Sequence, residues 1–158
     1  MITSVLFVCT GNTCRSPMAE GLLKKFLKEK NQNHISVCSG GVMATDGIPA
    51  STGSILTMAE MGVDISSHKS TKIRSAMLRD ADLILVMERY HRDAIVHMDA
   101  TIKSKVKLLK EYINASPVEM DVEDPLGGSL EQYRACALEL RECVKNLAQE
   151  LVSKRNKL

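Results

Sequence analysis

The run Cys9-Thr10-Gly11-Asn12-Thr13-Cys14-Arg15-Ser16 places a thiol and a guanidinium at the two ends of a short, turn-rich stretch, with five residues between Cys9 and Arg15. A cysteine thiolate is a strong nucleophile, but a free thiol with a pKa of about 8.5 is only a few per cent ionised at neutral pH. The surroundings must therefore favour the anion. Backbone N–H groups of a tight loop, backed by the positive end of a helix, hold a phosphoryl group without help from side chains. The same field is expected to lower the pKa of Cys9. Gly11 and Asn12 are residue types that accept the left-handed backbone such a loop needs. Arg15 offers a planar fork for two equatorial oxygens, and Ser16 a hydroxyl for the thiolate. Cys9 is thus the expected nucleophile and Arg15 the clamp. Thr10, Gly11, Asn12, Thr13, Cys14 and Ser16 are the expected phosphate-binding residues.

Attack by Cys9 on phosphorus needs an acid for the departing atom and then a base for water. Asp124, in the Asp124-Pro125 pair before Gly127-Gly128, is the expected acid, with Asp121 and Glu123 as close neighbours that spacing alone separates poorly. Other chemistries fit less well. A Walker-type loop requires a lysine before its serine or threonine, and Arg15 stands there instead. A zinc site drawn from Cys9, Cys14, His34 and Cys38 has loose spacing and would set Arg15 against the cation, so neither metal nor cofactor is expected. A module that reads phosphorylated groups without turnover would have no use for the thiol.

These residues need a scaffold that brings a strand end and a helix start together. Thr3 to Val8 reads as a buried strand feeding the loop, and Ser16-Pro17 as the capped start of an amphipathic helix through Lys30, with Glu20 in its first turns. Further strands are expected at Ile35–Ser39, Leu83–Met87 and Lys105–Leu109. Helices are expected at Ser51–Met61, Ile73–Leu78, Arg89–Met98 and about Leu130–Lys154. The last carries Tyr133, Cys136, Leu140, Cys143, Val144, Leu147 and Leu151 on one stripe. Strand and helix repeated four times predict an α/β three-layer sandwich, a four-stranded parallel sheet flanked by helices. Its ligand site would lie beyond the carboxyl ends of the strands.

A length of 158 residues, 44% of them hydrophobic, with no linker or repeat, predicts a single domain over residues 1–158. A net charge of +2 and 3% aromatic residues argue against nucleic acid as a partner. No signal peptide or membrane-length apolar run is evident, so no membrane partner and a cytoplasmic location are expected. Five cysteines make an odd number, which fits reduced thiols with individual roles. A monomer is the expectation.

From Val8 to Glu20 the chain matches the signature Val-Cys-x-Gly-Asn-x-Cys-Arg-Ser-Pro-x-Ala-Glu and so resembles the low-molecular-weight protein tyrosine phosphatases. The resemblance extends through Ser39-Gly40-Gly41, His68 and Asp124-Pro125. It implies phosphorylated proteins as substrates, a phosphocysteine intermediate on Cys9 and hydrogen bonds among Asn12, Ser39 and His68 that hold the loop in shape. It also implies that Cys14 can form a reversible disulfide with Cys9. Two positions depart from the tyrosine-specific pattern. Thr13 stands where those enzymes carry Leu or Ile, and Leu126-Gly127-Gly128 replaces an aromatic pair. The loop is similar to the bacterial protein-arginine phosphatase branch, although that branch has an aromatic where Leu126 stands. Thr13 and Leu126 are therefore the expected selectivity positions, with a threonine hydroxyl suited to a polar guanidinium. Arsenate reduction, which uses a similar loop, would need a resolving cysteine pair that Cys38, Cys136 and Cys143 do not form.

Overall fold

The computed structural model describes residues 1–155, so residues 156–158 of the expected domain lie outside the described part. Four parallel strands, β1 (Ser4–Cys9), β2 (Ser36–Gly41), β3 (Leu83–Val86) and β4 (Val106–Leu108), lie in the order β2-β1-β3-β4. β1 is central and buried on both faces. Side chains alternate along a strand, so Val5, Phe7 and Cys9 enter one core while Leu6 and Val8 enter the other. Helices α1 (Arg15–Glu29), α2 (Thr52–Glu60) and α5 (Leu130–Arg155) cover the first face. α3 (Ser75–Asp80) and α4 (Arg89–Met98) cover the second. This is the α/β sandwich anticipated from the strand-helix alternation. The stripe on α5 from Tyr133 to Leu151 is buried as its spacing predicts.

The chain leaves β1 toward β2 and later returns to add β3 on the other edge of β1. That reversal opens a crevice at the carboxyl ends of β1 and β3, where ligands bind in sheets of this type. Three loops meet there. Met87, after β3, donates its N–H to Val8 O at 3.1 Å, and Val122 donates to Met87 O at 2.8 Å. The segment carrying Asp124 is thereby fastened to the strand ends.

Several boundaries differ from expectation for local physical reasons. β1 continues to Cys9 because Cys9 still pairs with Gly41. β2 begins at Ser36 and runs past the expected end at Ser39 through Gly40 and Gly41. A Cβ on Gly41 would lie 2.4 Å from Thr10 O and 2.9 Å from Asn12 N, so the missing side chain is what lets β2 back onto the loop. α1 begins at Arg15 with Cys14 at the N-cap and no side-chain cap. Ser16, expected to cap, is inside the first turn and buried, its hydroxyl committed to Cys9. α3 starts later than Ile73, which instead fills the second core.

Candidate active site

Cys9 is 2% exposed at the end of β1, at the floor of a cavity of about 90 Å³ that also touches Arg15, Asp124 and Leu126. Asn12 takes the left-handed turn at φ +57°, which aims its own N–H at Cys9 Sγ at 3.3 Å. Gly11, also expected to be left-handed, has no positive φ, and a Cβ there would meet Thr13 Oγ1 at an ordinary 3.8 Å. Ser16 Oγ lies 2.7 Å from Cys9 Sγ and accepts from Asn12 Nδ2 at 2.8 Å. When Cys9 is ionised, the serine proton is available to donate to its sulfur. Burial pushes the Cys9 thiol up from its ordinary value, against the pull of the Ser16 hydroxyl and N–H, the Arg15 charge and the Asn12 N–H. The lowered value anticipated from sequence is reversed, because removing the thiolate from water outweighs those four contacts together.

Asn12 is the hub of the loop. Its Nδ2 also donates to Ser39 Oγ at 2.9 Å, its Oδ1 accepts from Thr71 N at 2.9 Å, and its carbonyl lies 2.8 Å from His68 Nε2. Ser39 and His68 each reach Asn12 at different groups, one at the amide and one at the carbonyl. Ser39 donates onward to Glu20 Oε1 at 2.7 Å. A chain of hydrogen bonds thus runs from the Glu20 carboxylate through Ser39, Asn12 and Ser16 to sulfur. Sequence reasoning placed Glu20 only as a charge in the first turns of α1; its spacing of one helical turn from Ser16 was the available signal.

The Arg15 side chain is 2% exposed and fully engaged. Nη1 donates to Val122 O at 2.7 Å and pairs with Glu88 Oε2 at 3.1 Å. Nη2 reaches Thr10 Oγ1 at 3.3 Å and Asp124 Oδ2 at 3.4 Å. Glu88 and His91 were not anticipated. They follow β3, the clearest strand in the sequence, and the strand-end rule would have singled out that position.

The three carboxylates left open by spacing are now separated. Asp121 Oδ1 accepts from Arg89 N at 2.8 Å, at the start of α4. Glu123 and Asp121 line a second cavity of about 270 Å³, and Asp124 borders both cavities. Asp124 alone of the three faces Cys9. Its side chain is 39% exposed, and its Oδ1 accepts from Leu126 N at 3.1 Å. Thr13 lines the Cys9 cavity, and Leu126 stands at its mouth, 63% exposed. Cys14 Sγ lies 3.2 Å from Ser51 Oγ and 3.5 Å from Tyr133 OH. Burial pushes the Cys136 and Cys143 thiols up to about 12 each. Among the described residues no group of three His, Cys, Asp or Glu side chains is placed to hold a metal ion. No described helix is long and apolar enough to cross a membrane.

The arrangement can bind a tetrahedral anion, attack it with sulfur, and protonate what leaves. The family model described as "Low molecular weight phosphotyrosine protein phosphatase" matches residues 4–157. A protein-arginine-phosphatase of Bacillus subtilis (strain 168) is 36% identical over 151 residues, covering 96% of this chain and 98% of the relative. A probable low molecular weight protein-tyrosine-phosphatase of Erwinia amylovora, AmsI, is 35% identical over 135 residues, covering 85% of this chain and 88% of the relative. Among solved structures, a cysteine-to-serine mutant of the YwlE arginine phosphatase with a phosphorylated active-site serine superposes with a TM-score of 0.89. It is 34% identical, with 97% of this chain and 98% of that chain covered.

Proposed function

Because this chain belongs to the low-molecular-weight phosphotyrosine protein phosphatase family and is a protein phosphatase of that type, we propose that it hydrolyses phosphoarginine in proteins through a phosphocysteine on Cys9. The observation that carries the mechanism is the meeting of Cys9, Arg15 and Asp124 on one cavity floored by the sulfur. Cys9 attacks phosphorus as the thiolate, the form that Ser16, Arg15 and Asn12 favour against burial, while the bond to the leaving nitrogen breaks and Asp124 gives that nitrogen its proton. The Asp124 carboxylate then takes a proton from water, which attacks phosphorus, frees phosphate and returns the Cys9 thiolate. Arg15 turns from its carboxylate partners onto the equatorial oxygens, where its charge counts most as negative charge spreads in the transition state.

Asp124 Oδ2 begins 3.4 Å from Arg15 Nη2, and a bound phosphoryl group would take its place on Arg15 and leave Asp124 to face the leaving atom. The supports for phosphoarginine are Thr13 on the cavity wall and the relatives named as arginine phosphatases. Thr13 Oγ1 makes a long hydrogen bond of 3.8 Å to Cys14 Sγ, a weak one that a substrate donor can displace. Phosphotyrosine is the second reading, favoured by the apolar Leu126 at the mouth and by the tyrosine phosphatase relatives. The five free cysteines suit a reducing, cytoplasmic setting. If Cys9 and Cys14 pair on oxidation, Cys14 must first leave Ser51 and Tyr133.

The test compares kcat/KM on phosphoarginine and phosphotyrosine peptides in the native protein and in Thr13→Ile. The native protein should favour phosphoarginine, and Thr13→Ile should move the ratio toward phosphotyrosine by about tenfold, the worth of one lost polar contact. Identical ratios in both proteins would remove Thr13 from the account.

A further inference from the structure

Two of the acceptors that hold Arg15, Thr10 Oγ1 after β1 and Glu88 Oε2 after β3, face the same imidazole nitrogen. His91 is completely buried. Its Nδ1 accepts the Glu88 backbone N–H at 3.0 Å, so that nitrogen carries no proton and the ring proton sits on Nε2. Nε2 lies 2.8 Å from Thr10 Oγ1 and 3.4 Å from Glu88 Oε2. Burial, with the Arg15 charge behind it, holds the imidazole neutral by pulling its pKa down to about 4. We propose that His91 is a positioning residue for the phosphate clamp: its Nε2–H fixes the Thr10 hydroxyl, and Thr10 in turn fixes the plane of the Arg15 guanidinium. The inference rests on the reading of Arg15 as that clamp.

The hydrogen-bond inventory decides between this role and a contact of Thr10 with the guanidinium of the substrate. A hydroxyl oxygen has two acceptor sites. His91 Nε2 takes one and Arg15 Nη2, at 3.3 Å, takes the other. The guanidinium of a phosphoarginine offers only donors, so Thr10 has no acceptor site left for it; both lone pairs serve the His91–Arg15 brace, and only its O–H remains to donate to a phosphoryl oxygen. The brace matters most during turnover. Once Asp124 turns to the leaving group, Nη2 keeps Thr10 as its partner within the protein, and a tilted fork meets the equatorial oxygens poorly. Small misplacements of this kind cost up to about 100-fold in rate.

The test uses His91→Leu, Thr10→Val and the double variant, with rates expressed per titratable Cys9 so that loss of folded protein does not enter. Each single change should lower kcat about tenfold and leave KM within about twofold. The double variant should lose no more than Thr10→Val alone, because His91 acts on Arg15 through the Thr10 hydroxyl. Inhibition by orthovanadate, which adopts the trigonal-bipyramidal shape, should weaken in step with kcat, while inhibition by inorganic phosphate holds within about twofold. His91→Gln, which restores an N–H donor, should recover part of the loss. Native kcat in His91→Leu, or losses that multiply in the double variant, would overturn the brace. Arg15→Lys separates the two readings: native kcat there overturns the clamp itself, whereas an inactive Arg15→Lys beside a fully active His91→Leu overturns the brace alone.

Discussion

The phosphate loop and the acid loop meet at one cavity, yet they are held in opposite ways. From Cys9 to Ser16 the chain is buried or nearly so, and the Asn12 side chain spends its amide and carbonyl on Ser16, Ser39 and Thr71. Around Asp124 the chain is exposed, the carboxylate turns on its own Leu126 N–H, and Gly127 takes a positive φ of 76°. A nucleophile that must meet phosphorus in line benefits from a seat fixed on all sides. An acid that must serve leaving groups of different size benefits from a local hinge. Buried hydrogen-bond networks are costly to interrupt, whereas exposed turns contribute little to stability.

Breaking the comparison begins at the sulfur. Cys9→Ser should lower turnover of an aryl phosphate by at least about 10⁴-fold, as loss of a nucleophile does, with the melting temperature close to native. A steady-state rate within tenfold of native would end the covalent mechanism. Asn12→Ala tests the buried loop as a structure: it leaves Ser16, Ser39 and the Thr71 N–H without their partner. We expect a loss of about 2–4 kcal/mol in urea unfolding and a fall in kcat of at least about 100-fold. Loss of rate with unchanged stability would mean the network is not what holds the loop.

Asp124→Asn sharpens the contrast from the other side. It should slow turnover by about 100- to 1000-fold, most for poor leaving groups, with a melting temperature within about 1 °C of native. A normal rate would return the role to Asp121 or Glu123. Ser16→Ala gives the smallest effect and the most specific one. Ser16 lowers a thiol pKa that burial has already raised, so its removal raises that pKa further. The thiolate population then falls at a given pH, and the acid limb of the kcat/KM profile moves to higher pH. A loss of about tenfold near pH 6 should be recovered as pH rises; a uniform loss at every pH would place the serine in another role.

Much of this was legible in the sequence where structure is local. The Cys9–Ser16 loop, the strand before it and the apolar stripe on α5 are each written in adjacent or periodically spaced residues. What was not legible depends on crossings of the chain. Glu88 and His91 reach Arg15 and Thr10 only because β3 pairs with β1, a join made across almost eighty positions. The choice among Asp121, Glu123 and Asp124 needed the Val122 to Met87 hydrogen bond that sets the register of that segment. Ser16 misled for the opposite reason. Its type signals a cap, and only the direction of the Cys9 side chain reveals a better partner. The Cys9 pKa also went the other way, since residue types announce the favourable contacts and say nothing of how completely water is removed.

β1 carries a further consequence. It is paired along both edges, so Cys9 sits on the strand whose amides should exchange with solvent only when the whole sheet opens. In enzymes whose nucleophile rides on a peripheral loop, chemical reactivity is lost before the fold is. In this molecule the native reactivity of the thiol and the folded state should disappear together in denaturant. Counting sulfurs that react as the native site does is therefore a count of folded chains.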